Sequence, residues 1–331
     1  MTLRLPTAAF RTVYQILARL QPQRAAAYVP QPQTPSAFGN APTASAPDTS
    51  APIAARIWSY WHAVEPDPFV ERCIANWRLQ CPDFEVRVLN RQTVRDHVPA
   101  SDWPAGFEQL DPVKQSDWIR LYLVSRYGGY WLDATVLLTQ PLHWLEALRQ
   151  AQGADFAGFY LDGYTQDPRF PVVENWAFGA PAGASFATAW QREFHHALFE
   201  VGTQAYLSAL QAEPGYAELL QGIPDPVYLL GHVTAQRVLR QGGAAYRLAL
   251  AKAEDTAFFY QKALRWKWYL LYPRLCLVPA DAQIAPLVKL RGGERRHFAQ
   301  LFAQHGEPEA DSLWGRACRP AAAVPPAAAP R

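Results

Sequence analysis

The sequence predicts an α/β fold with a mostly parallel central sheet, and three observations carry that expectation. Strand-like and helical patterns alternate from the start of the body: Arg56–Tyr60 and residues 84–89 read as strands, with a helix over about 68–79 between them. A β-α-β opening favours parallel pairing, because only a crossover of that length returns the chain in the same direction. A well-marked helix then begins after Asp111, a good N-cap, with Pro112 at its first position and Gly128 as its stop. Residues 130–138 read as the strand that follows it. Further on, strands are expected at 156–160 and 176–179 and helices at 184–198, 204–220 and 227–240; residues 266–298 are mixed in character.

The 331 residues carry a formal net charge of only +2, with 18% charged and 50% apolar residues, which argues against nucleic acid as a partner. Twelve Trp, 15 Tyr and 16 Phe supply a large core and flat rings for ligands. No apolar run approaches the roughly 18 to 20 residues of a membrane span, and Arg11 and Arg19 interrupt any secretory h-region, so a cytoplasmic address is expected. Cys73, Cys81, Cys276 and Cys318 show no zinc-like pairing and read as reduced and structural.

Four segments follow from composition. Residues 1–20 form an amphipathic basic helix, with Phe10, Val13, Ile16, Leu17 and Leu20 at helical spacing and no acid before Asp48; it suits an anionic membrane surface or docks on its own body. Residues 21–52, rich in Pro and Ala, read as a disordered linker, and 319–331 as a tail of the same kind. The body is 53–318.

The informative stretch runs from Ser116 to Leu138. Its helix is apolar on nearly every side yet carries Asp117 and Arg120, three residues apart on one face, and buried charges need partners. They either pair with each other structurally or hold a ligand. A Gly-Gly turn at Gly128 and Gly129 lets backbone approach a bound donor closely, and a strand then delivers Asp133 at its carboxyl end, where ligands collect in open parallel sheets. There Asp133 can hold a divalent cation against a diphosphate, Arg120 can supply fixed positive charge, and Asp117 can accept sugar hydroxyls.

These residues resemble the core motif of the bacterial capsular polysaccharide synthesis protein family, relatives of the glycosyltransferases with a DXD sugar-binding region. The shared features are Asp-x-x-Arg on a helix, a Tyr-Gly-Gly turn and an aspartate-bearing strand, with Asp133 sixteen positions after Asp117. Looser likeness extends over 53–61, 174–181, 231–236 and 288–293. The resemblance implies a GT-A type fold with helical additions in the C-terminal half and a retaining sugar transfer from a nucleotide-sugar donor to a glycan or lipid-linked acceptor. The departing diphosphate itself would accept the acceptor's proton. It also implies capsule or surface polysaccharide synthesis at the inner face of a bacterial membrane.

The resemblance also implies Mn2+ or Mg2+. Asp133-Ala134-Thr135 departs from the two-carboxylate form, however, and Thr135 is a weaker ligand, so His232 or a C-terminal acid is the candidate for the missing one. Trp58, Tyr60 and Trp61 resemble the place where the nucleotide base is held, and read equally well as core. Asn175 and Trp176 are candidates for framing the acceptor, and Lys289 and Arg291 for closing over the diphosphate, if they are not simply solvated. The 265–272 run reads as core or as an interfacial patch. The competing function is a non-catalytic sugar-nucleotide or glycan-binding subunit; a hydrolase with paired carboxylates lacks any pair.

Overall fold

The computed structural model of the protein describes residues 6–20, 28–30, 51–242 and 246–319. An N-terminal helix α1 (Thr7–Leu20) precedes the body. The body opens with β1 (Arg56–Tyr60), α2 (Pro68–Gln80) and β2 (Glu85–Leu89), then α3 (Pro112–Tyr127), β3 (Gly129–Leu132) and β4 (Val136–Leu138). It continues through α4 (His143–Ala151), β5 (Phe156–Leu161), β6 (Val172–Val173), β7 (Ala177–Ala180), α5 (Ser185–His195), α6 (Thr203–Gln211), α7 (Tyr216–Leu220) and α8 (Leu230–Gly242). The last third comprises β8 (Leu248–Lys252), α9 (Phe259–Ala263), α10 (Trp268–Cys276), β9 (Leu287–Lys289), α11 (Gly292–His305) and α12 (Leu313–Ala317).

Among the described residues seven strands form one sheet. β1 lies between β2 and β3 and is parallel to both, as the β-α-β opening requires. β7 pairs antiparallel with β3 and with β5, β6 pairs antiparallel with β5, and β8 lies parallel on β5's other side. Five strands, β1, β2, β3, β5 and β8, therefore run one way, and the sheet is the mostly parallel one expected. β4 and β9 form a separate antiparallel pair that aligns Val136 with Lys289.

The two faces of the sheet bury separate clusters, and the alternation along each strand decides which side chain goes where. Ile57, Tyr130 and Leu132 enter one cluster with Trp77 and Trp314; Trp58, Tyr60 and Trp131 enter the other with Trp118 and Trp190. The cysteines are free thiols, Cys318 alone of the four being exposed. Among the described residues no helix is long and apolar enough to cross a membrane.

Three expectations change. The strand over 130–138 is two strands, β3 and β4, because the chain turns at 133–135, where Val136 N donates to Asp133 O at 3.0 Å. The helix over 204–220 breaks into α6 and α7 at Pro214-Gly215, where Gly215 has φ +85°. Most of the expected linker and tail lies outside the described residues, but Tyr28 is buried edge-on against Phe259, so the chain touches the body there.

The N-terminal helix is docked, not detached. Phe10 packs on Trp268 and Tyr272 of α10, Tyr14 is buried, and Arg11 pairs with Glu309. Of the expected apolar face, Phe10 and Leu17 turn to the body while Val13, Ile16 and Leu20 remain exposed. The 265–272 run divides likewise: Leu270, Leu271 and Tyr272 are core, whereas Trp266 and Tyr269 are exposed.

Candidate active site

Helix α3 is started by Asp111, whose Oδ1 accepts from the amides of Val113 (2.8 Å) and Lys114 (3.1 Å). It is stopped at Gly128, where φ is +66° and a Cβ would lie 2.7 Å from Ala182 N. Between these ends the helix is buried almost throughout, and Asp117 and Arg120 are buried with it. The pair expected from the sequence does form, with Arg120 Nη2 3.2 Å from Asp117 Oδ1. It does not close on itself. The same Nη2 lies 3.2 Å from Asp133 Oδ1, and Nη1 donates to the Asn175 carbonyl at 2.9 Å.

Asp133, just past β3, continues the chain of charges. Its Oδ1 also accepts from Trp131 Nε1 at 3.0 Å, and its Oδ2 lies 3.0 Å from Lys289 Nζ, which β9 brings alongside. Acid and base thus alternate as Asp117, Arg120, Asp133 and Lys289. Burial pulls the Asp133 carboxyl upward, but the charges of Arg120 and Lys289 and the hydrogen bonds from Trp131 and Lys289 outweigh it and hold the group below the usual carboxylate range. For Asp117 burial wins over Arg120 and Lys114, and its carboxyl sits above that range.

These groups line one cleft of about 750 Å3, together with Glu174, Asn175, Trp176, His232 and Arg291. Asn175 Nδ2 donates to Asp117 Oδ1 at 3.2 Å, and Trp176 O accepts from Asp133 N at 2.8 Å, so the segment entering β7 ties the two aspartates together. Arg291 is half engaged elsewhere: its guanidinium pairs with Glu294 at 2.8 Å and lies 4.3 Å from the Trp266 ring centroid. Sequence reading missed Glu174, which lines the cleft with its Oε2 3.0 Å from His232 Nε2, and also Tyr228, Phe258 and Trp266 on the cleft wall. Glu174 had a signal, an acid in a segment otherwise rich in apolar residues.

The cation set expected from Asp133, Thr135 and His232 does not converge. Thr135 Oγ1 donates to Leu290 O at 2.9 Å and accepts from Lys289 Nζ at 2.7 Å, and His232 is turned to Glu174. Among the described residues no three His, Cys, Asp or Glu side chains gather where they could hold a metal ion. The residues present therefore do not fit a divalent cation held by these three ligands.

The aromatic donor-site candidates are not brought into the cleft. Trp58 is core, its Nε1 donating to Gly128 O at 2.9 Å, and Tyr60 is core, its hydroxyl donating to Gln115 at 2.8 Å. Trp61 is half-buried in a neighbouring groove, with the Arg295 guanidinium 5.1 Å from its ring. Gly128 and Gly129 serve packing: a Cβ on Gly129 would lie 2.8 Å from Arg56 O, so the turn admits the neighbouring strand and not a ligand.

With this geometry in view, residues 37–196 match the family described as capsular polysaccharide synthesis protein, the one that the Asp117–Asp133 segment resembles. The chain is similar to O-glycosyltransferase braB of Annulohypoxylon truncatum, 30% identical over 155 residues, which are 42% of this chain and 36% of that protein. It is also similar to O-glycosyltransferase PaGT of Phomopsis amygdali, 24% identical over 157 residues, which are 42% of this chain and 38% of that protein. The chain thus spans little more than a third of either relative. Among solved structures, PaToxG Glycosyltransferase aligns over 71% of this chain and 78% of its own with a TM-score of 0.34 and 10% identity.

Proposed function

We propose that the protein is a glycosyltransferase that moves a sugar from a nucleoside-diphosphate donor to a glycan or other acceptor hydroxyl. The observation that carries this reading is the chain of alternating charges in an open cleft. A structural ion pair needs two members, whereas Asp117, Arg120, Asp133 and Lys289 form a row with Arg291 beside it, which a diphosphate can join. Arg120 and Lys289 neutralise the departing diphosphate, Asp117 accepts sugar hydroxyls, and the Trp176 wall faces the acceptor. The likeness to proteins named O-glycosyltransferase supports the same reading. Retention at the anomeric carbon and a role in bacterial capsule or surface polysaccharide synthesis at the cytoplasmic face of the membrane complete the proposal. There the exposed Val13, Ile16 and Leu20 of α1 would meet an anionic leaflet.

The test is release of nucleotide from UDP-glucose, UDP-galactose and GDP-mannose, with the anomeric configuration of the product read by NMR. Release from one of them supports transfer; binding without release supports a non-catalytic sugar-nucleotide-binding subunit. Manganese and a chelator enter as separate arms. Release that needs manganese returns Asp133 to a ligand's role, and release in chelator assigns the neutralisation to Arg120 and Lys289.

A further inference from the structure

The stretch that leads into α10, residues 265–269, is built unlike the rest of the surface. Arg265, Trp266, Lys267 and Tyr269 are all exposed, Trp266 at 38% and Tyr269 at 41%, which is more than rings that serve only packing leave in water. Arg265 and Trp266 hold φ at +51° and +60°, the left-handed region that residues other than glycine seldom adopt. Such strain persists only where the surroundings enforce it. Here Trp266 N donates to Gln261 O at 2.7 Å and the Gln261 side chain donates to Lys289 O at 2.6 Å, so the turn is pinned to the strand that carries the cleft's ammonium. Trp266 belongs at once to the cleft wall and to the exposed surface.

Two other elements meet this stretch at Trp268. Phe10 of α1 packs on its ring and leaves the flank of Val13, Ile16 and Leu20 exposed, and His297 of α11, which follows Arg296, stacks on it at 4.0 Å. Arg265, Lys267 and Arg296 are exposed and make no ion pair among the described residues. The acids of the adjoining segments are already engaged: Asp255 by Lys252 and Lys262, Glu294 by Arg291, and Glu309 by Arg11. Exposed apolar side chains therefore sit among cations without partners. Trp and Tyr beside Lys and Arg is the composition that holds a protein at a bilayer surface, with the rings at headgroup depth and the cations against acidic lipid.

We propose that residues 265–269, with the flank of α1 beside them, dock on an anionic lipid surface and bring the cleft wall at Trp266 against it. The docking stands on this surface alone; its use, to present the cleft to an acceptor held in the membrane, rests on the glycosyltransferase reading above. Helix α1 by itself is a poor anchor, since Phe10 is spent on α10 and Arg11 on Glu309. The turn supplies the rings and free charges that α1 lacks. Because it is pinned at Lys289 O, it also fixes where the cleft lies relative to the bilayer.

The experiment measures binding of the full chain to phosphatidylglycerol vesicles and to phosphatidylcholine vesicles by flotation, with hydrogen exchange followed in the same mixtures. Binding to phosphatidylglycerol is expected to be at least about 10-fold tighter than to phosphatidylcholine, to weaken with salt, and to protect the amides of residues 265–269. Arg265→Asn combined with Lys267→Gln is expected to weaken it about 30-fold, and Tyr269→Ser about 5- to 10-fold. Neither variant alters a residue that lines the cleft, so affinity for UDP and GDP without vesicles should stay as in the unaltered chain. If the double variant melts below the assay temperature, Arg296→Gln takes its place, with a loss of about 5-fold expected. Full-strength vesicle binding by the folded variants, or no binding of the unaltered chain to phosphatidylglycerol at low salt, overturns the proposal. So does a dimer in sedimentation that Tyr269→Ser abolishes, which would assign the surface to a second copy of the chain. A chain that binds vesicles through this turn yet releases nucleotide from none of UDP-glucose, UDP-galactose and GDP-mannose leaves the docking in place and overturns the glycosyltransferase reading.

Discussion

The carboxyl ends of β1 and β3 lie side by side on parallel strands, yet one is closed and the other open. On β1, every polar atom at the aromatic end is spent internally: Trp58 on Gly128, Ser59 Oγ on Leu132 O at 2.7 Å, and Tyr60 on Gln115. Past β3, Asp133 shares its oxygens among Trp131, Arg120 and Lys289 and still keeps its side chain 24% exposed. An aromatic ring satisfies its surroundings by burial alone and so marks core as readily as a binding site. A carboxylate at the same depth needs cations, and cations gathered around a partly open acid leave room for an anionic ligand.

The largest effect that would break this contrast is at Asp133. Asp133→Asn keeps the shape and removes the charge that spaces Arg120 from Lys289; nucleotide release is expected to fall by about 100- to 1,000-fold in a folded protein. Full activity in folded Asp133→Asn would place the chemistry elsewhere. Next comes the row itself. Breaking Asp117 or Arg120 singly leaves a buried charge short of a partner and is expected to destabilise the fold by about 3 to 5 kcal/mol. A double-mutant cycle read on both melting and UDP affinity sharpens the point, since coupling in stability with no change in affinity would return the pair to a structural role.

At the closed end the expectation reverses. Trp58→Phe removes the donor to Gly128 O and is expected to cost about 1 to 3 kcal/mol of stability while nucleotide affinity stays constant; weaker binding in a folded Trp58→Phe would show that β1 contributes to the donor site after all. The smallest effect concerns pH. Asp133 is depressed by the fold, so its contribution to stability is present above the unfolded carboxylate range and lost as pH falls through its folded value. Asp117 is raised, so its ionisation costs stability as pH rises toward its own folded value. Acid melting curves of Asp133→Asn should therefore be flatter than those of the unaltered chain, and those of Asp117→Asn should not be. Equal slopes in all three would contradict the assigned directions.

How much of this was legible in the sequence follows from the same physics. The caps of α3 and the two charges on its apolar surface are local signals, and Asp117, Arg120 and Asp133 do converge. The turn at 133–135 was hidden because Ala134, Thr135 and Val136 suit a continuing strand. Lys289 meeting Asp133, and Glu174 meeting His232, join residues far apart in the chain, and neither local spacing nor composition encodes which distant side chain arrives. The N-terminal helix was legible as amphipathic, but not which part of its apolar surface docks on α10, since that depends on Trp268 and Tyr272 far downstream.

The central claim is that Arg120 and Lys289 make the cleft a diphosphate site. Calorimetric titration of UDP and GDP into the unaltered chain and into Lys289→Met, each in chelator and in manganese, tests it most directly. Tight binding of one nucleotide in chelator, weakened about 10- to 100-fold by removing the ammonium, is the expected result. Equal affinity of the folded Lys289→Met variant, or no binding of either nucleotide by the unaltered chain, would contradict it.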